Sequence, residues 1–397
     1  MMAYLNSALA AALLEAMVAF GSYEVGAIQR LPSIDPGIEA GILAQELTMI
    51  RMAEGERSET DHLFVSPWVH SAIETDRALM VSRQVDNEVV RAVSADEQIR
   101  PLSATYPTLW FEGDYKAPSA PTAHQELSYF IGAAFGRWDV RFAAGILEPP
   151  PRPGPYDPIP PTSRGMLLGE NGSLTTRPPV VYPLDIPPDG LLHDEPGHRY
   201  DIVNAVESAV GYLETNPEPL KLALPREVRD LRRQLRWRFF AAHVNDYSAS
   251  RRYAPIYWYL AVPSREWGLW VYAPALSREM LFAIAGSARD KLRRLRDQAG
   301  QLRRSHLGTG DRAAAERVEW LESLTAEIEQ FAEYADKVAQ SGWKPDLNDG
   351  LILCAAPLEQ LFADDAWRQR VAGHRRDLEM NKYSWATVQR EFFGGGS

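Results

Sequence analysis

The sequence predicts an α+β fold with mixed helices, a small sheet and a long antiparallel helical hairpin near the C-terminus. Most segments carry apolar residues at helical spacing. Residues 254–274 instead place β-branched and aromatic residues on both sides of a polar turn, which is typical of a β-hairpin. Residues 277–304 and 312–340 show a three–four apolar repeat and are joined by turn residues, which predicts two packed antiparallel helices.

The composition is that of a globular protein with two or three packed domains. The 397 residues are 45% hydrophobic and 24% charged, too apolar for a mostly disordered chain. The single cysteine, Cys354, excludes an intramolecular disulfide and a cysteine-based zinc site, and it fits a reducing cytoplasm. The apolar stretch 8–20 contains Glu15, is too short for a membrane span and follows no basic region. We therefore expect a cytoplasmic protein with no membrane partner.

The first part of the chain is expected to form helices and short strands. Residues 2–20 predict one helix, and residues 21–32, with glycine at both ends of a short β-prone run, predict a strand or loop. A second helix is predicted over about 38–55. Residues 126–142 predict a compact apolar helix in which Gly132 and Gly136, four residues apart, allow a close approach by a neighbouring backbone.

Proline then changes the character of the chain. Thirteen prolines between positions 149 and 188 preclude a continuous helix or central strand. Composition thus divides the chain into 1–148, helices and short strands; 149–190, an irregular proline-rich connector; 191–275, helices and an aromatic β-hairpin; 276–340, the helical hairpin; 341–393, a closing segment of a loop and a short helical end; and 394–397, a linker or tag remnant.

Residues 225–240 predict a two-faced helix with Pro225 in its first turn. Its apolar stripe is Val228, Leu231, Leu235 and Phe239. Its basic side, at spacings of three and four, is Arg226, Arg229, Arg233 and Arg236. One face is expected to pack, and the other is available to an anionic partner. In the β-hairpin that follows, the aromatic residues favour a core role, with a base-stacking surface as the alternative; they are Tyr257, Trp258, Trp270 and Tyr272.

Charge is unevenly distributed. The net charge is −11, yet residues 226–252 contain eight arginines against three acids, and residues 286–304 contain seven Arg or Lys against two acids. A single such run is as well explained by a solvated helix face. Two runs in an acidic chain favour a phosphate-binding groove.

Metal chemistry has two weak candidates. His193, Asp194, Glu195 and His198 form a His-Asp-Glu-Pro-Gly-His run, but Pro196 interrupts the helix that a metal-binding His pair needs. We expect Asp194 to cap the following helix instead. The acidic pair in Pro-Asp-Leu-Asn-Asp-Gly at 345–350 is more typical of a turn than of a magnesium site. No catalytic, cofactor-binding or metal-binding residue is predicted.

Five motifs recur in a recognisable order. The first two are Leu5, Asn6 and Ser7 at a helix start, then Tyr23, Val25, Gly26, Ile28, Leu31 and Pro32 in an expected strand. The others lie at 127–141, 251–272 and, in the closing segment, 345–358 together with 381–393. In this order they resemble the region after the catalytic domain in large adenine-specific DNA methyltransferases of the type IIG restriction-modification and BREX kinds. A DISARM-type methylase stays an alternative.

The resemblance implies that the chain is a C-terminal target-recognition region. In that family a glycine-rich loop for S-adenosylmethionine and an Asn-Pro-Pro-Tyr-like motif lie in the catalytic domain, and this chain has neither. The resemblance thus implies adenine-N6 methylation and S-adenosylmethionine for the complete enzyme, with no cofactor in this chain. Whether the chain is itself part of an enzyme, and whether the catalytic domain is covalent or a separate subunit, stay open.

Double-stranded DNA is therefore the expected partner, together with the methyltransferase catalytic domain or subunit and other proteins of the defence system. The predicted phosphate contacts are Arg226, Arg229, Arg233, Arg236, Arg251 and Arg252. The alternative is an assembly subunit of a defence complex that touches DNA little, which the acidic remainder of the chain favours.

Overall fold

The computed structural model describes residues 1–17, 25–69, 75–93, 110, 120–154, 157–158, 160–175, 177–215, 222–224, 228–249, 252–305 and 312–393. These residues form two compact units, residues 1–122 with 141–166, and residues 123–140 with 167–397. Helices predominate and strands form small antiparallel sheets, so the predicted α+β class is confirmed.

The α-helices in the described ranges are numbered α1 to α14 in chain order. They are α1 Met2–Leu5, α2 Ala8–Met17, α3 Val25–Ile28, α4 Gly37–Gly55, α5 Thr75–Val93, α6 Ala123–Ala134, α7 Val140–Ala143, α8 Ile202–Glu214, α9 Val228–Gln234, α10 Phe240–Asp246, α11 Arg278–Ser305, α12 Arg312–Gln340, α13 Leu351–Ala355 and α14 Asp365–Glu379. A π-turn, Leu235–Phe239, joins α9 to α10. The strands are β1 Leu191–His193, β2 Ser248–Ala249, β3 Arg252–Tyr253, β4 Tyr257–Ala261 and β5 Gly268–Tyr272.

The first unit is built around α4 and α5, whose facing side chains Leu47, Val81 and Val85 are fully buried. The single helix predicted over residues 2–20 is wrong, because α1 and α2 are separate helices. Ser7 separates them: its Oγ donates to Tyr4 O at 2.7 Å and accepts from Ala10 N at 3.2 Å, so Ser7 caps α2.

Residues 21–32, predicted as a strand or loop, form no strand where they are described. Val25–Ile28 is a single helical turn closed by Gln29 N donating to Val25 O at 3.0 Å. Among the described residues no strand pairs with this segment, so its backbone groups are satisfied locally. Residues 18–24, with Tyr23 of the motif, lie outside the described residues.

Buried ion pairs fix the first part of the proline-rich segment. Glu56 is 5% exposed and accepts from Arg152 at 2.6 Å and from Arg164. Arg164 also donates to Pro150 O at 2.7 Å. These bonds tie Pro150, Arg152 and Arg164 to the first unit, and residues 150–154 and 160–164 have no regular secondary structure, as the prolines predict.

The second unit contains a three-stranded antiparallel sheet in the order β1-β5-β4. Its β4–β5 hairpin pairs Tyr259 with Trp270, which confirms the predicted hairpin. Tyr257, Trp258 and Trp270 are 0% exposed, so their expected core role is confirmed. Tyr272 is only partly buried, with its ring stacked on Phe135 at 5.8 Å. Every residue of β4 is buried, which means that both faces of the strand are covered.

Aromatic contacts show what covers the two faces. On one face, Trp270 lies 4.7 Å from Tyr259 and 5.7 Å from Phe239 of the π-turn, measured between ring centroids. On the other face, Trp258 lies 5.7 Å from Phe362. The helix made of α9, the π-turn and α10 therefore packs on the same face of the sheet as Tyr259.

The predicted helical hairpin is confirmed as α11 and α12. Three ion pairs join these helices at steps of seven residues that ascend in α11 and descend in α12. They are Arg289–Asp336, Arg296–Glu329 and Arg303–Glu322. This register requires antiparallel helices and matches the heptad pattern of a coiled coil.

The closing segment is more helical than expected. The predicted loop is wrong over residues 351–361, which form α13 and a 3-10 helix. Cys354, Leu358 and Leu361 are buried, so the segment is folded by the apolar face that it packs. None of the helices in the described ranges combines the length and hydropathy needed to cross a bilayer.

The single helix predicted over residues 126–142 is wrong, because α6 ends at Ala134. Gly136 lies beyond that end with a left-handed φ of +74°, so it breaks the helix and does not line it. The prediction for Gly132 is correct as to the close approach but not as to the neighbour. A Cβ at this position would lie 2.3 Å from Trp138 Cδ1 and 2.4 Å from the Tyr257 hydroxyl. The close neighbours are thus side chains, whereas a neighbouring backbone was expected. The absence of a side chain at Gly132 leaves space for both aromatic residues.

Candidate functional site

An arginine-lined cleft of about 500 Å³ lies in the second unit. Its walls come from the loop after β1, the start of α8, α9 and the π-turn. The lining residues are Pro196, Gly197, Asp201, Asn204, Arg232, Arg233, Arg236 and Trp237. Two residues that we predicted as phosphate contacts, Arg233 and Arg236, therefore meet at one site.

A buried carboxylate anchors the arginine wall. The Asp194 side chain is 0% exposed and accepts from Arg236 Nε at 2.6 Å, from the Tyr259 hydroxyl at 2.8 Å and from Arg232. Burial raises the pKa of Tyr259 well above its ordinary value, so the hydroxyl donates as a neutral phenol. Asp194 thereby ties the end of β1, strand β4 and the helix at α9 together.

A second carboxylate completes the cluster. Asp201, just before α8, accepts from Arg232 Nη2 at 2.6 Å. Burial alone would lower the pKa of Arg232, but its hydrogen bond to Asp201 and the charges of both carboxylates outweigh burial and raise it. Arg232 and Arg236 stay cationic, and Asp194 and Asp201 offset their charges.

The aromatic wall of the cleft is supported from one side. Arg265 donates to the carbonyl of Arg236, and its guanidinium carbon lies 4.3 Å from the centroid of the Trp237 ring. Trp237 is nevertheless 57% exposed. The ring is thus held by a cation–π contact while much of its surface stays open to solvent.

Two polar side chains at the cleft are free. Arg233 and Asn204 are both exposed. Within the described ranges, neither the Arg233 guanidinium nor the Asn204 amide has a hydrogen-bond or ion-pair partner. The cleft therefore offers one uncompensated positive charge, one amide with donor and acceptor, and one aromatic ring.

The predicted phosphate contacts have different surroundings. Arg233 and Arg252 are exposed, and in the described part of the chain neither has an ion-pair partner. Arg236 belongs to the buried cluster, with its side chain 14% exposed. Arg226, Arg251 and the side chain of Arg229 lie outside the described residues.

The second basic window is neutralised within the protein. Six of its seven cationic side chains form ion pairs: Arg289, Lys291, Arg293, Arg294, Arg296 and Arg303. Lys291 and Arg294 share Glu195, each at 2.9 Å. This window stabilises the hairpin and attaches it to the loop after β1.

The His-Asp-Glu-Pro-Gly-His run is a structural loop. The rings of His193 and His198 stack at 3.6 Å, and burial together with the charge of His198 lowers the pKa of His193 to about 3. Among the described residues, no set of three or more His, Cys, Asp or Glu side chains is placed to hold a metal. The prediction that Asp194 caps the next helix is wrong, because the residue preceding α8 is Asp201.

Sequence reasoning missed Trp237 and Asn204. Trp237 stands between two arginines and outside the apolar stripe of its helix, a pattern that indicates an exposed aromatic residue. Asn204 has no such signal. Sequence reasoning also missed the exposed Arg370. Its guanidinium carbon lies 3.6 Å from the centroid of the Tyr253 ring, and Tyr253 directly follows the predicted phosphate contact Arg252 in the sequence.

No protein-family model matches the sequence, and no curated protein matches it. The resemblance to adenine methyltransferases therefore stays a prediction from the motifs.

Proposed function

We propose that the chain is the DNA-recognition part of a site-specific adenine-N6 DNA methyltransferase in a bacterial phage-defence or restriction-modification system, acting in the cytoplasm. In this proposal a catalytic domain or subunit outside the chain binds S-adenosylmethionine and carries out the methyl transfer. The observation that supports DNA binding is a set of three exposed arginines: Arg233 at the cleft, Arg238 in the adjoining π-turn and Arg252 in β3.

These arginines differ from most others in the second unit. Among the described residues none of the three has an ion-pair partner, whereas the second window is almost entirely paired. Arg232 and Arg236 fix the helix that carries Arg233 and Arg238. A rigid helix with free guanidinium groups suits phosphate contacts, since little side-chain and backbone order is lost on binding.

The methylation part of the proposal rests on the five motifs in family order. It requires that a partner supply the glycine-rich cofactor loop and the Asn-Pro-Pro-Tyr-like motif. Mixing the purified chain with a candidate catalytic subunit tests this part: adenine methylation at a defined site, absent without the chain, is the expected result. Equal methylation with and without the chain would contradict it.

Charge reversal tests the DNA-binding part. In Arg233→Glu/Arg238→Glu, loss of two charge-assisted contacts should weaken binding to a mixed-sequence duplex by about tenfold per arginine, measured by fluorescence anisotropy. Arg293→Glu/Arg304→Glu is the matched control, because it changes the net charge by the same amount at two exposed arginines of the hairpin. Among the described residues, the ion-pair partner of Arg293 is Asp290 in its own helix. Equal weakening in both variants would indicate a non-specific effect of net charge and contradict the proposed interface.

The assembly alternative is favoured by the hairpin. Its basic side chains are neutralised, while Phe282 and Trp320 are 40% and 37% exposed. A surface of this kind suits a protein partner better than phosphate. Two results together would support this alternative. The chain would not bind DNA at low salt, and it would form a stable complex with another defence protein that the Trp320→Ala substitution weakens.

A further inference from the structure

The cleft beside Arg233 has features that phosphate contacts alone do not require. We infer that it receives one unpaired nucleotide of bound DNA, with the base stacked on Trp237 and the phosphate at Arg233. The inference rests on the proposed function, because DNA must first be bound for a strand to deliver the nucleotide.

The Trp237 ring is open to a stacking partner. The other tryptophans of the second unit's core are fully buried, among them Trp258, Trp267 and Trp270. Trp237 remains 57% exposed although it lies beside that core. Arg265 supports the ring by a cation–π contact, so the ring is held in place without being covered. A fixed, exposed ring is the platform on which nucleic-acid bases stack.

The uncompensated charge of the cleft lies on one residue. The cleft is lined by three arginines, but Asp194 and Asp201 offset Arg232 and Arg236. Only Arg233 brings a positive charge with no described partner. The site therefore suits a ligand with a single phosphodiester or phosphate group, and it is a poor site for several adjacent phosphates.

The size and polarity of the cleft suit a single nucleotide. A volume of about 500 Å³ lies within the range of pockets for single small molecules, of roughly 300–1,000 Å³, so one nucleotide fits whereas a duplex does not. The free Asn204 amide presents a donor and an acceptor, the pair that reads the edge of a base. Aromatic ring, amide and single cation together correspond to base, base edge and phosphate.

The same chemistry would accept a free nucleotide, so the experiment separates the two sources. The probes are a fully paired duplex, the same duplex with one bulged 2-aminopurine, and free dAMP. Wild type should bind the bulged duplex about 5- to 150-fold tighter than the paired one, since stacking contributes ~1–3 kcal/mol per base. The 2-aminopurine fluorescence should also fall on binding.

Substitutions of Trp237 test whether its ring is the surface on which the base stacks. Trp237→Ala should reduce the ratio between bulged and paired affinity to about one, and Trp237→Phe should keep most of it. Trp320→Ala is the matched control: Trp320 is 37% exposed and lies under Arg317 at 4.0 Å, but it does not line the cleft. It should keep the wild-type ratio. Thermal unfolding confirms that each variant is folded.

The outcomes are distinct. Salt-sensitive binding to the paired duplex with a ratio of one in wild type overturns the inference and leaves the proposed function standing. A high ratio that persists in Trp237→Ala also overturns the inference. Tight binding of dAMP with a ratio of one would assign the cleft to a free nucleotide and overturn the DNA source. No binding to either duplex overturns the proposed function itself.

Discussion

Replacing Asp194 with alanine should destabilise the second unit more than any other single charge removal at the cleft. Asp194 is buried and accepts from Arg232, Arg236 and the Tyr259 hydroxyl. Without it, Arg232 keeps Asp201, but Arg236 is left with a half-exposed Glu266 at 3.6 Å. Removing one partner from a buried ion pair costs about 3–5 kcal/mol, so we expect a loss of that size in unfolding free energy.

Urea unfolding followed by tryptophan fluorescence measures this loss, because Trp258 and Trp270 are buried in the sheet next to the cluster and Trp267 is buried just before β5. Asp185→Ala is the matched control: Asp185 pairs with Arg199 at 2.8 Å, but the two side chains are 57% and 71% exposed. It should unfold as wild type does.

A midpoint for Asp194→Ala equal to that of the Asp185→Ala control would refute the view that this cluster holds the arginine helix. The same variant should weaken DNA binding, because Arg233 and Trp237 depend on that helix for their position. Binding should weaken even under conditions in which the variant remains folded.

Three further outcomes follow from other sites. Burial raises the pKa of Asp86 to about 6, above its value of about 3.9 in an unfolded chain. The contribution of this group to the unfolding free energy is therefore fully present below about pH 4 and is lost as the pH rises through about 6. Asp86→Asn should remove this pH dependence from the unfolding free energy measured at several pH values. Gly132→Ala should lower the unfolding free energy by about 1–3 kcal/mol, because the new methyl group overpacks the site. Gly211→Ala in α8 should be neutral or slightly stabilising, because the space around its new methyl group is open. Equal melting temperatures of the two variants would contradict this. Burial raises the pKa of the Cys354 thiol to about 12, so a thiol reagent should label it only after unfolding.

The parts of the fold that sequence predicted best are those governed by local patterns. The α11–α12 hairpin has a long apolar repeat and a short turn, and the β4–β5 hairpin has aromatic and β-branched runs around a polar turn. Both patterns are complete within one segment. The N-terminal helix was mispredicted because Ser7 separates α1 from α2 and caps α2. The hydrogen bond from Ala8 N to Asp86, which is 78 residues away in sequence, stabilises this break.

The site was predictable only in part, for a different physical reason. Helical spacing placed Arg233 and Arg236 on one side of a helix, and the structure brings both to the cleft. Spacing says nothing about partners, however. Asp194 lies 42 residues before Arg236, so whether an arginine is free or buried in an ion pair depends on tertiary structure. The same holds for Asn204, which joins the cleft from another helix.

The salt dependence of duplex binding tests the central claim most directly. Affinity of the purified chain for a mixed-sequence duplex is measured from low to physiological salt. The account predicts a steep linear fall of log affinity with log salt, and a slope shallower by about two in Arg233→Glu/Arg238→Glu, since each lost phosphate contact removes roughly 0.9. A flat dependence, or a slope unchanged in that variant, would contradict a DNA interface at this arginine-lined cleft.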